Sequence, residues 1–193
     1  MQERAGTEVS GWSDDELVAA VAQGDEAAMR TLVERWERPL LGLLRHLLGS
    51  VEDAEDLAQE TFVRVFEQAR DYRAQGLFRS WLFRIAANLA RSGLRRRRIV
   101  RWVTFEPLRH DRPAPGRTAE DELAAAEERE RLHRALARLP WRQREAVVLK
   151  RFQGLSYGEI AGILGTTVPG VESLLQRAAT GLRAHLEREG GGS

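Results

Sequence analysis

The sequence predicts an all-α protein of two small helical bundles joined by a flexible linker, the C-terminal bundle containing a helix-turn-helix. Three observations carry this. Apolar residues recur three and four apart in segment after segment, and no stretch alternates as a strand would. Serine followed three residues later by an acid, a pairing that caps a helix start, occurs at Ser13, Ser50 and Ser156. The longest break in the helical pattern, residues 99–117, is rich in proline and glycine. On this reading residues 1–12 are an N-terminal tail, 13–98 the first helical domain, 99–117 the linker, 118–187 the second helical domain and 188–193 a flexible tail.

Taken in order, Ser13 and Glu16 open a short helix with Leu17, Ala20 and Val21 inward, ended by Gly24. Asp25 caps the next, which buries Ala28, Met29, Leu32, Val33 and Trp36. It then meets Pro39, whose missing N–H and ring are expected to kink or divide it before Leu40 to Leu48. Ser50 with Asp53 starts a third helix, with Ala54, Leu57, Ala58, Thr61, Val65 and Ala69 on one side. A turn around Tyr72 to Gly76 leads to a helix from about Phe78 to Arg97, with Phe78, Trp81, Leu82, Ile85 and Leu89 inward. Beyond the linker, Thr118 with Asp121 restarts helix. Pro140 opens another at the tolerated first position, and Ser156 with Glu159 caps a short one that ends at Gly165. A last helix runs from about Val168 to Glu187.

Composition narrows the function. Of 193 residues, none is cysteine, so disulfides and thiolate metal sites are excluded, and the four histidines lack ligand spacing. No cofactor or metal is expected. The longest apolar run, Leu40 to Leu44, is far shorter than the roughly 20 residues that cross a bilayer, so a cytoplasmic protein with no membrane partner is expected. No nucleophile, base and orienting group recur together and no phosphate-cradling glycine loop is present, which argues against an enzyme. All Lys and Arg positions but Lys150 are arginine; arginine forks onto phosphates, but GC-rich codon usage would give the same bias, so it carries no inference.

Net charge is only +1, yet charge is sorted along the chain. Asp53, Asp56, Glu60, Arg64 and Glu67 form a mostly acidic second face on the third helix, with Gln59 at its border. On charge pattern alone this is a solvated face. From Gly76 to Val103, however, there is no carboxylate, and Arg84, Asn88, Arg91 and Arg95 share one side of the fourth helix. An acidic rod followed by an arginine rod suggests two different partners.

The second domain is more specific. With Tyr157 first in a helix-turn-helix unit, small Ala161 falls fifth, where the helices cross. Gly165 falls ninth, where the turn goes left-handed, and Val171 fifteenth, where the second helix packs back. An ordinary helical hairpin does not need all three. The unit would turn Thr167, Gly170, Glu172, Ser173, Gln176 and Arg177 toward a major groove, where such side chains read base edges or hold phosphates.

DAEDLAQETFVRVF, a turn, FRSWLFRIAANLAR and a distal LPWRQREAVVLKRFQGLSYGEIAGIL together resemble bacterial RNA polymerase sigma factors of the extracytoplasmic-function (ECF) group of the sigma-70 family, from about Asp14 to Leu186. The resemblance implies a dissociable specificity subunit. Asp53, Asp56, Gln59 and Glu60 would dock on the clamp coiled coil of the largest subunit of core RNA polymerase. The arginine helix would hold the −10 element of promoter DNA, and the helix-turn-helix would read the −35 element on the flap of the second-largest subunit. It also implies that Tyr72 and Asn88 enclose a base flipped from the non-template strand, consistent with an aromatic face that stacks and an amide that pairs. Tyr72 reads equally as a loop aromatic closing the core. Trp81 is a core residue by spacing and a melting wedge by resemblance. Housekeeping members carry two adjacent tryptophans there, so Leu82 implies a weaker wedge and a narrower promoter range. Ala178, Ala179, Thr180 and Gly181 replace a basic run, and weak −35 binding by the isolated domain is expected. The family usually has an anti-sigma factor as a further partner. A helix-turn-helix regulator with a sensing or dimerising N-terminal bundle explains residues 118–187 but leaves the arginine stripe and the flipped-base pair unused; a helical scaffold or adaptor without a DNA role is the other alternative, decided by salt-titrated binding to promoter DNA with polymerase present.

Overall fold

The computed structural model describes residues 11–98 and 119–190, without the side chains of 94–98, 119–126, 129, 189 and 190. The linker, residues 99–117, and Thr118 therefore lie outside the described residues. Eight α-helices follow in order: α1 (Asp14–Val21), α2 (Glu26–Leu48), α3 (Val51–Gln68), α4 (Phe78–Arg98), α5 (Ala119–Arg138), α6 (Trp141–Arg151), α7 (Tyr157–Leu164) and α8 (Val168–Gly190). A 3-10 turn, Ala69–Asp71, extends α3, and no strand occurs among the described residues.

The caps form where local chemistry demands them. At α1 and α7 both halves of the box are present: the serine oxygen accepts from the N3 amide while the N3 glutamate accepts from the serine amide. At Ser50 the hydroxyl accepts from the Asp53 amide at 3.2 Å. Asp25 accepts from Ala27 and Ala28, and Gly49 ends α2 at φ 73°, a conformation that glycine adopts without a Cβ clash.

Two expectations are corrected. Pro39 does not divide α2, which runs unbroken from Glu26 to Leu48. Leu32, Leu40, Leu43 and Leu44 are buried on both sides of the proline, and that burial outweighs one lost backbone bond. Pro140 is the N-cap of α6, at φ −52° and ψ 139°, rather than its first helical residue.

The first four helices enclose Phe78 and Phe83, with Trp36 edge-on to both. The sequence leaves open whether the two halves touch, and they do. One continuous set of buried residues runs from Leu17 in α1 to Val171 in α8, while Leu136, Leu139, Val147 and Ala178 form a smaller second core. Polar ties cross the junction as well. Arg144 of α6 donates to the carbonyls of Leu136 in α5 and, at 2.8 Å, Leu47 near the end of α2, where helix carbonyls lack internal partners. The His46 ring of α2 lies 3.8 Å from that of Phe152.

Candidate nucleic-acid interface

The acidic side of α3 forms because Ala54, Ala58, Thr61, Phe62 and Val65 take the buried side. Asp56, Gln59 and Glu60 are exposed and Asp53 is half-buried. Arg64 partly neutralises this face, reaching Glu67 at 3.0 Å and Glu60 at 3.8 Å, both across exposed positions where such pairs contribute little. Sequence reasoning missed that Val63 and Phe66 are 54% and 56% exposed on the outer side of the helix. Their departure from the 54–58–61–65 stripe is the signal that could have found them.

At the turn, Tyr72 is half-buried. Its hydroxyl donates to Asp15 Oδ1 at 2.5 Å, and its ring sits 4.8 Å from that of Trp81 and edge-on to Phe78. Burial, and then the Asp15 carboxylate, push the phenol well above its ordinary pKa, so it stays protonated. Trp81 is itself half-buried and packs on the core. A cavity of about 460 Å³ opens beside these rings, walled by Tyr72, Trp81, Leu77 and Arg84 on one side and by Glu159 and Ile163 of α7 on the other. Asn88 does not line it. The structure thus brings Tyr72, Trp81 and Arg84 to one cleft and leaves Asn88 exposed, one turn further along α4.

Along α4, Arg84 and Asn88 stand exposed, but Arg91 does not. Its Nη2 donates to Glu145 Oε1 of α6 at 2.9 Å; Glu145 is 0% exposed and Arg91 keeps 26% of its side-chain exposure. Burial raises the Glu145 pKa above the usual 4.5 against the opposing pull of Arg91. Arg79 similarly pairs with Glu159 of α7 at 2.9 Å. Glu159 is lowered to about 2, first by the Ser156 hydroxyl and amide that it caps and only then by Arg79. Two guanidiniums of the arginine segment are therefore engaged by carboxylates, and both carboxylates come from the other half of the chain. The side chain of Arg95 lies outside the described residues.

The helix-turn-helix has its expected core. Ile160, Ala161, Leu164 and Val171 are buried and Gly165 turns at φ 59°. Arg142 donates to the Leu164 carbonyl at the turn, and Lys150 to that of Leu155. On α8, Glu172, Ser173, Gln176 and Arg177 are exposed on the outer side. Thr167 is also exposed, but its hydroxyl accepts from the Gly170 amide at 3.2 Å and so caps the helix. Gly170 is half-buried, and a Cβ there would meet Thr166 Oγ1 at 2.5 Å. Ala178 is fully buried, while a Cβ at Gly181 would meet Leu139 Cδ2 at 2.9 Å. These two positions serve packing, which is why no basic side chain stands at either.

Among the described residues no cluster of histidine and carboxylates could hold a metal, and no helix is long and apolar enough to cross a membrane. Residues 32–99 match the family description Sigma-70 region 2, and residues 129–180 match Sigma-70, region 4. RNA polymerase sigma factor NccH of Alcaligenes xylosoxydans xylosoxydans is 36% identical over 181 residues, covering 90% of this chain and 95% of that protein. ECF RNA polymerase sigma factor SigE of Mycolicibacterium smegmatis is 38% identical over 186 residues, 91% of this chain and 70% of that one. The solved structure of CnrH in complex with the cytosolic domain of CnrY superposes with a TM-score of 0.67 at 31% identity, over 91% of this chain and 97% of CnrH. With both regions present in order and relatives matched along most of their length, the chain belongs to the ECF group of the sigma-70 family of RNA polymerase sigma factors.

Proposed function

We propose that this sigma factor docks on the clamp coiled coil of core RNA polymerase through the outer face of α3, with Asp53, Asp56, Gln59 and Glu60 supplying charge and Val63 and Phe66 supplying the apolar centre. Residues 13–98 hold the −10 element and residues 118–187 the −35 element, the latter resting on the flap of the second-largest subunit. Arg84 and Arg95 track the strand backbone, Tyr72 stacks on an extruded base, and Asn88 reads that base's edge from one turn along α4. Trp81 supports Tyr72 from beneath and forms a single, weak wedge. On α8, Glu172, Ser173, Gln176 and Arg177 face the groove, and Thr167 with Gly170 sets the start of the helix against the phosphates.

Polymerase supplies the bond chemistry and the sigma factor none. Once docked, its two DNA surfaces act at high effective concentration, which offsets the few kcal/mol that each unstacked base step costs. Engagement of the −10 strand requires Arg91 and Arg79 to exchange Glu145 and Glu159 for phosphates, so the halves must part on holoenzyme assembly. CnrH was solved with the cytosolic domain of CnrY, and a comparable partner, an anti-sigma factor, would act here by keeping the halves together. One observation carries the function: regions 2 and 4 lie in order on a single chain. The test is run-off transcription with purified core polymerase on genomic fragments. Discrete transcripts that require this protein are expected. None would overturn the proposal and leave a helix-turn-helix regulator as the reading.

A further inference from the structure

Three consecutive acids open α1, and each does something different. Asp14 pairs with Arg35 of α2 at 2.6 Å, and Glu16 closes the capping box with Ser13. Asp15 instead turns to a loop far along the chain. Its Oδ1 accepts from the Tyr72 hydroxyl at 2.5 Å and its Oδ2 from the Gly76 amide at 2.7 Å. One carboxylate therefore grips Tyr72 and Gly76, the first and fifth of the six residues, 72–77, that link the 3-10 turn to α4. Gly76 sits at φ 68°, so this turn has a backbone shape that most residues resist, and a charged acceptor on its amide holds that shape.

We propose that Asp15 is the positioning residue of the −10 base pocket, fixing the plane of the Tyr72 ring so that one face is ready to receive a base. The inference rests on the assignment of Tyr72 and Asn88 to that pocket. Two observations carry it independently of the helix cap. The Tyr72 hydroxyl is committed to Asp15, so what Tyr72 can offer a base is its ring face, and a stacking platform must be held at a set angle to act as one. The ring also meets Trp81 at 4.8 Å and Phe78 edge-on at 6.1 Å, and the hydroxyl tether adds the polar restraint that sets its angle between those two apolar contacts.

The test uses reconstituted holoenzyme on a promoter library randomised through the −10 and −35 elements, with the transcripts sequenced. Asp15→Asn is nearly isosteric and keeps an acceptor for Tyr72, but it can turn an amide donor toward the Gly76 amide. Tyr72→Phe removes the other bond and keeps the ring. Both are expected to lower base preference at one −10 position roughly three- to tenfold while the −35 profile and core affinity stay unchanged. In the double variant the losses are expected to be less than additive, since each single change loosens the same turn. An unchanged −10 profile in both single variants overturns the proposal, as does equal flattening at −10 and −35, which would mark a general structural role. Tyr72→Ala and Asn88→Ala separate the underlying assignment: if neither changes the −10 profile, the pocket itself is misplaced. If they flatten it while Asp15→Asn and Tyr72→Phe do not, only the role of Asp15 fails.

Discussion

Glu145 offers the sharpest perturbation, because it is a fully buried carboxylate that ties the two halves together and has no part in the proposed DNA contacts. Its opposite is Arg91, 2.9 Å away, with Arg142 on its own helix adding a weaker positive field. In Glu145→Lys two cations would face each other. At about 4 Å and an effective dielectric near 20 their repulsion is ~4 kcal/mol. Arg91 keeps 26% of its side-chain exposure, and a lysine stem bends toward water, which halves the figure to ~2 kcal/mol. That is roughly a 30-fold shift from closed to open. Glu145→Gln should behave differently. Burial already raises the carboxyl pKa against the pull of Arg91, and a neutral amide of the same shape keeps an oxygen that accepts from Arg91, so Gln should open the halves far less than Lys. Relative to the unfolded chain, whose carboxyl has the ordinary value of 4.5, the raised Glu145 pKa contributes stability that is complete below 4.5 and lost as pH rises through the raised value, as thermal melts across pH would show. The chain has no cysteine, so single cysteines at exposed Glu52 and Arg183 can carry fluorophores for distance measurement without background labelling. Opening by Gln as large as by Lys, or no opening by Lys with helical content preserved, refutes the reasoning.

Three further outcomes are expected. Joint reversal of Asp56 and Glu60 to lysine should weaken binding to core polymerase by ~2 kcal/mol or more, read by co-purification and titration; full retention would mean that the acidic face is merely solvated. Arg84→Ala should reduce the salt slope of holoenzyme binding to −10 DNA by roughly 0.7 to 0.9, the amount for one phosphate contact, and an unchanged slope removes Arg84 from the strand track. Ser156→Ala should cost about 1 kcal/mol of stability by loss of the α7 cap. Glu159, lowered to about 2, contributes stability that is complete above 4.5 and lost as pH falls toward 2; in Ser156→Ala that acid-side loss should shrink, as followed by thermal melts across pH.

What was legible in the sequence was local. Capping serines, the left-handed Gly165 and the buried Ala161 and Val171 each depend on residues within a few positions, so spacing alone locates them. Spacing pointed the helix-turn-helix at DNA, whereas the polymerase assignment and the −10 pocket of Tyr72 and Asn88 came from the family resemblance, which spacing does not contain. What escaped was long-range. Glu145 looks like a solvated residue of an amphipathic helix, yet residues 145–149 are all buried, because α6 is covered on several sides, and its partner lies 54 positions earlier. Asp15 and Tyr72 are 57 apart, and no periodicity links them. Gly181 looks like a helix defect worth about 1 kcal/mol until the close approach of Leu139 explains it. Pro39 looks like a break until leucines on both sides hold the helix together.

The account stands on one docked chain presenting both DNA surfaces at once. Start sites mapped with reconstituted holoenzyme, on templates whose −10 to −35 spacing is lengthened stepwise by single base pairs, test this most directly. Initiation is expected to peak sharply at one spacing and to fall on either side. Initiation indifferent to spacing, or dependent on one element alone, would contradict it.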